Sequence, residues 1–168
     1  MKAKEERPKL KVEADQTDKL LEMAGLFFLA VMLGFTVYYY PRLPDIIPTH
    51  FDLDGRPDSY GSKSTLYMVP GIAILIYAIL SILGRYPHVF NYAVPVTPEN
   101  AERQYKNAVK MMRALKVFMA AIFMTIVKSI SDEGMGNHYA VYKWLIPGIA
   151  IAMFLLTMYF LVRSVSMK

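Results

Sequence analysis

No cysteine occurs among the 168 residues, which excludes a disulfide, a thiolate-ligated zinc site and a thiol nucleophile. Histidine is scarce: only His50, His88 and His138 are present. There is no HExxH pair, no phosphate-cradling glycine motif and no visible nucleophilic triad, so no catalytic residue is assigned. What the chain has in quantity is apolar. Hydrophobic residues make up 55% and mean hydropathy is +0.28, although 20% of residues are charged. A soluble domain is less apolar than this, and the combination implies apolar blocks separated by charged loops. The net charge of +5 fits basic loops on one face of a membrane, and no nucleic-acid partner is expected.

Three runs, Met23–Tyr40, Ser64–Gly84 and Trp144–Val162, carry no charge over about the length, roughly 20 residues, that crosses a bilayer. A fourth run, Val117–Val127, is shorter and bounded by Lys116 and Lys128. If both lysines snorkel to the interface, Ala114–Ile130 spans as well; the alternative is an interfacial amphipathic helix. The predicted organisation is a cytoplasmic tail over 1–19 and a transmembrane domain over 20–168, with helices at about 20–40, 64–84, 98–130 (with a cytoplasmic extension) and 143–165. The mixed charge of the tail and the spanning length of the run after it read as an anchor rather than a cleaved signal.

Basic residues set the orientation. Lys2, Lys4, Arg7, Lys9, Lys11, Lys19, Arg85, Arg103, Lys106, Lys110, Arg113, Lys116, Arg163 and Lys168, 14 in all, fall on one side of a four-crossing chain. Only five, Arg42, Arg56, Lys63, Lys128 and Lys143, fall on the other. The fold class is therefore all-α: an integral membrane four-helix bundle, multi-pass in the cell membrane, with N- and C-termini cytoplasmic and an ordered first extracytoplasmic loop. "MVPGIAI" at 68–74 echoes "LIPGIAI" at 145–151. The echo predicts Pro70 and Pro147 in the first turns of their helices at matching depth, through either duplication or convergence. Thr97 and Pro98 read as the N-cap and first residue of the third helix. Its basic positions Arg103, Lys106, Lys110 and Arg113 are candidates for lipid head groups, or simply a solvated face.

The stretch "LPDIIPTHFDLDGRPDSYGSK" (43–63) concentrates turn-forming Pro, Gly and Asp between two apolar runs. Asp52, Asp54 and Asp58 around Gly55 have the residue types of a short calcium loop, although the spacing is not that of an EF-hand. His50 suits a transition metal better. With Asp132, Glu133 and His138 in the second outer loop, the metal candidates are His50, Asp52, Asp54, Asp58, Glu133 and His138. The competing reading is a well-made turn, with Asp side chains closing it. In that reading residues 44–63 form an ordered cap. Ile46, Ile47, Phe51 and Leu53 dip toward the bundle, His50 is partly buried and hydrogen-bonded, Asp54 and Asp58 accept from backbone N–H groups, and Arg56 or Lys63 offsets their charge.

This stretch resembles the signature of a bacterial and archaeal membrane domain of unknown function that occurs in the Sdp-type immunity proteins of bacilli. Leu43-Pro44, Ile47-Pro48, His50, Gly55, Asp58, Gly61 and Lys63 fit its pattern, and "NYAVPVTPEN" (91–100) with the basic helix after it is similar too. Family members often carry Asn where this chain has Asp52. The resemblance implies a small multi-pass protein. The best-described relatives protect cells from a secreted toxic peptide and signal its presence by recruiting a repressor to the membrane.

The expected function is accordingly a binding or sensor-like membrane protein rather than an enzyme. Its outer loops engage a peptide or lipid of the envelope through Pro48, His50, Asp54, Gly55, Asp58, Gly61 and Lys63. Expected partners are the lipid bilayer, that ligand, and a second copy or a cytoplasmic regulator; no cofactor is assigned beyond the metal candidates. The alternatives are a metal-assisted membrane enzyme with its site in the outer loops, or a structural subunit of a membrane complex.

Overall fold

The computed structural model describes residues 7–52 and 54–167; the expectations placed on Lys2, Lys4, Leu53 and Lys168 lie outside them. The order is α1 (Gln16–Tyr39), β1 (Ile46–Phe51), β2 (Pro57–Ser62), α2 (Met68–Leu83), α3 (Ala101–Gly134) and α4 (Val141–Ser166), with short 3-10 turns at Tyr40–Arg42, Lys63–Tyr67 and Pro87–Val89. Four helices among the described residues are long and apolar enough to cross a membrane.

α1 begins before its apolar run because Asp15 caps it. The Asp15 carboxylate accepts from the Asp18 backbone N–H at 2.8 Å, and the Asp18 carboxylate accepts from the Asp15 N–H at 3.0 Å, a reciprocal pair that satisfies two otherwise orphan donors. α3 begins at Ala101, not at Pro98. Asn100 is its N-cap residue, and the Asn100 side chain holds the incoming turn by accepting from Thr97 N–H and donating to the Pro95 carbonyl. From there α3 runs for 34 residues, roughly 50 Å at 1.5 Å per residue.

α3 is the element the others pack on, with α1, α2, α4 and β1 all against it. Small residues at Ala108, Ala114 and Ala120 are buried and let neighbouring helices approach closely. Polar side chains join α4 to its first turns: the Gln104 amide donates to the Ser164 carbonyl at 2.8 Å, the Ser164 hydroxyl donates back to Gln104 Oε1 at 2.6 Å, and Asn107 Nδ2 donates to the Phe160 carbonyl at 2.9 Å. These contacts bring the start of α1, the end of α2, the start of α3 and the end of α4 to one end of the molecule and the strands to the other. Large apolar side chains such as Phe27, Leu75, Phe154 and Leu155 are exposed around the outside. So broad an apolar surface is unfavourable in water.

Two further expectations are corrected. The fold is mostly helical rather than all-α, because 46–51 and 57–62 pair as an antiparallel hairpin. The prolines that argued for a loop are accommodated: Pro57 opens its strand, and Pro48 stands where the register slips before His50, positions that need no ladder donor. Pro147 does not sit in a first turn. It lies inside α4 and is exposed, whereas Pro70 is the third residue of α2 and buried. The shared "PGIAI" therefore occupies different environments in the two helices.

Candidate functional site

The hairpin is seated at the far end of α3 by its apolar base. Ile47 is fully buried and Leu43 and Pro48 are buried beside it, while Ile46 is exposed and Phe51 half-buried. Of the apolar residues expected to dip, Ile47 and Phe51 do and Ile46 does not; the burial does not alternate strictly, because Pro48 is buried next to Ile47 and the register slips on either side of His50. Gly134 makes the seat possible: a Cβ there would stand 2.8 Å from Leu43 Cδ2 and 3.3 Å from Ile47 Cγ2. Lys63 clamps the base. Its ammonium lies 3.1 Å from Asp45, donates to the Leu43 carbonyl at 3.4 Å and sits over the Tyr40 ring.

The tip docks on α4. Asp52, rather than Asp54 or Asp58, closes the turn, its carboxylate accepting from the Arg56 N–H at 2.8 Å. Gly55 has φ +74° and its Cα faces Lys143, whose Cβ would be 3.3 Å from any Cβ at position 55. Lys143 Nζ donates to Asp54 at 2.8 Å, and that hydrogen bond, with the charge of Lys143 and then of Arg56, holds the Asp54 carboxyl below its ordinary range. Between tip and helices runs a groove of about 250 Å³, with Phe51, Ile126, Ile146 and Pro147 on its apolar side and Asp52, Ser129, Tyr142 and Lys143 at its polar edge. Beneath that edge the buried Asp132 carboxylate accepts from both Lys128 and the Tyr142 hydroxyl.

The metal candidates are divided. His50 Nδ1 lies 2.5 Å from Asp58, and His138 Nδ1 lies 2.7 Å from Glu133. The two loops do meet, through Asp54 and Gly55 against Lys143, but each histidine pairs within its own loop. Among the described residues no three His, Asp or Glu side chains gather where they could hold a metal. The His50 side chain is hydrogen-bonded but 69% exposed, so its expected partial burial is corrected: it stands in solvent just past the register slip after Pro48. Gly61 faces Thr49 across the hairpin, where a Cβ would come within 3.0 Å of Thr49 Cγ2.

A second polar cluster, at the other end of α3, was not singled out by sequence. Lys116 does not snorkel. It is 3% exposed and donates to both Glu22 oxygens, at 2.8 and 2.7 Å, and to the Ser81 hydroxyl at 2.9 Å, with the Tyr77 ring at 4.5 Å. Arg113 extends the cluster to Asp18 at 2.9 Å and to Glu22 at 3.4 Å. It is thus committed to α1 rather than free for a head group. Lys128 likewise turns inward to Asp132. The signal was present in Asp18 and Glu22, which are four residues apart and lie on one face of α1, but matching them to a helix 90 residues later needs the tertiary structure. Of the other head-group candidates, Lys106 pairs with Glu102 at 2.6 Å and Lys110 with Asp15 at 2.5 Å, while Arg103 is exposed. The Lys110 hydrogen bond, with the Asp18 N–H, lowers the Asp15 carboxyl below its ordinary range.

Residues 27–74, which contain most of α1, the hairpin and the start of α2, match a family described as a domain of unknown function (DUF1648). An uncharacterized protein of Archaeoglobus fulgidus is 23% identical over 156 residues, covering 88% of this chain and 82% of its own length. No solved structure matches the chain.

Proposed function

We propose that this chain is a multi-pass protein of the cell membrane, with both termini cytoplasmic, that binds an amphiphilic peptide or lipid of the envelope under its extracytoplasmic hairpin. The observation that carries the proposal is the groove between the hairpin tip and α3 and α4. Its apolar side is formed by Phe51, Ile126, Ile146 and Pro147, and its edge presents Lys143, Asp52 and Tyr142. A volume of about 250 Å³ is below the ~300–1,000 Å³ typical of sites that enclose a whole small molecule. It suits one or two bulky side chains of a peptide, or a length of acyl chain, with the polar remainder at the rim. The resemblance of residues 43–63 to the Sdp-type immunity proteins favours a peptide. The 14-to-5 division of basic residues supports the orientation, because the ends of the helices that carry most of them gather opposite the hairpin.

The test compares what leaves native membranes with the wild type and with two variants. Ile146→Trp fills the groove; Ile151→Trp places the same bulk on the exposed face of α4. Mass spectrometry of the purified proteins is expected to find a peptide or lipid species retained by the wild type and Ile151→Trp and depleted from Ile146→Trp. The same species on all three proteins would refute a ligand in this groove.

A further inference from the structure

At the end opposite the hairpin, the start of α1, the start of α3 and the end of α4 enclose a cleft of about 570 Å³. Its charges resolve into paired and unpaired groups. Lys106 is paired with Glu102, Lys110 with Asp15, and Asp18 with Arg113. Arg103 and Arg163 also line the cleft, from α3 and α4, and neither has a carboxylate partner among the described residues; Glu13 lines it without a cation partner among them. Asn107 supplies an independent observation. It lines the same cleft, it is 7% exposed, its Nδ2 donates to the Phe160 carbonyl, and its Oδ1 is buried with no hydrogen-bond partner. A buried acceptor left unpaired costs on the order of 1–3 kcal/mol, and this one asks for a donor.

We infer that this cleft binds a phosphodiester that carries a primary ammonium, the chemistry of a phosphoethanolamine head group. Two guanidinium groups on facing helices match the oxygens of one phosphate, which arginine engages through paired N–H donors. The ammonium supplies a donor to Asn107 Oδ1 once that side chain shifts to expose it, and a cation that pairs with Glu13, whose charge otherwise acts on Lys106 without an ion pair. A purely anionic ligand gives Asn107 no donor and adds repulsion at Glu13, and a trimethylated ammonium has no N–H to give. The cleft lies where the apolar segments of α1 and α4 give way to charge, at the level of lipid head groups in the proposed orientation.

The full chain, purified in detergent, is offered equimolar phosphatidylethanolamine, phosphatidylglycerol and phosphatidylcholine, and retained lipid is counted by native mass spectrometry. Phosphatidylethanolamine is expected to exceed each of the others by roughly tenfold. The doubly substituted Arg103→Gln, Arg163→Gln protein is expected to lose that preference. Both arginines are exposed, so its thermal unfolding in lipid-free detergent should match the wild type, which separates loss of binding from loss of fold. Water-soluble glycerophosphoethanolamine is the further arm: displacement of the lipid by it assigns recognition to the head group alone and admits a soluble source, whereas retention of the lipid against it assigns the site to the membrane. Equal retention of phosphatidylcholine, or a preference for phosphatidylglycerol, overturns the inference, as does an unchanged preference in the double variant.

Discussion

Lys116 Nζ and Glu22 Oε2 lie 2.7 Å apart, joining α3 to α1 between apolar segments. A lone charge in such a place is unfavourable by about 3 kcal/mol or more, so the two side chains stabilise the fold chiefly by neutralising each other. Replacing Glu22 with Gln strands the ammonium and is expected to destabilise by roughly 3 kcal/mol, toward the lower end because Glu22 is partly open to solvent. Lys116→Met combined with Glu22→Leu removes both charges and is expected to recover most of the loss, Arg113 keeping Asp18 as its partner. Unfolding in detergent of Glu22→Leu, Lys116→Met and the double variant measures this; a double variant as unstable as the sum of those two singles would show that the pair is not coupled.

Gly55→Ala places a side chain at φ +74° and 3.3 Å from Lys143 Cβ. Left-handed backbone costs an ordinary residue about 1–2 kcal/mol, and the contact adds to it. The hairpin tip is expected to lift from α4 while the helices stay folded. Faster proteolytic nicking between residues 52 and 57, at unchanged helical circular dichroism, is the measurement. Equal nicking in both proteins would mean that the tip does not depend on this contact.

The Asp54–Lys143 pair makes the same docking pH-dependent. Asp54 titrates below its ordinary 3.8 in the folded protein. Its contribution is therefore present in full above that value and is lost as pH falls through the lower, folded one. Trp144 is the only tryptophan, and Lys143 lies 5.7 Å from its ring, so its fluorescence reports the pair. The emission is expected to hold steady from neutral pH down to the ordinary carboxylate range and to change below it. Asp54→Asn should remove that change; a step of the same size in the variant would assign it to another group.

The absence of native cysteine lets single substitutions read the orientation. A cysteine at Ser59, exposed on β2, is expected to react with a membrane-impermeant maleimide on intact cells. One at Lys106, exposed on α3, should react only after permeabilisation. The reverse pattern would invert the proposed topology.

Where the helices lie was legible in the chain, because uncharged runs of bilayer length are a one-dimensional property. The approximate extent of α1, α2 and α4 follows from them, and the start of α1 needed only Asp15 and Asp18 to be read as a cap. Turn chemistry at 52–55 was legible as well, but not which carboxylate closes the turn: Asp52, Asp54 and Asp58 are alike in sequence and differ only in what approaches them. The hairpin was hidden because two short strands broken by prolines carry little signal of their own, and they persist because Ile47 finds a seat at Gly134. The direction in which Lys116 and Lys128 point was hidden for a related reason. A lysine near the end of an apolar run is free to reach water unless another helix offers a carboxylate. Only the tertiary structure brings Glu22 from α1 to Lys116. Asp132 lies one helical turn beyond Lys128, but folding buries it and gives it Tyr142 as a second partner.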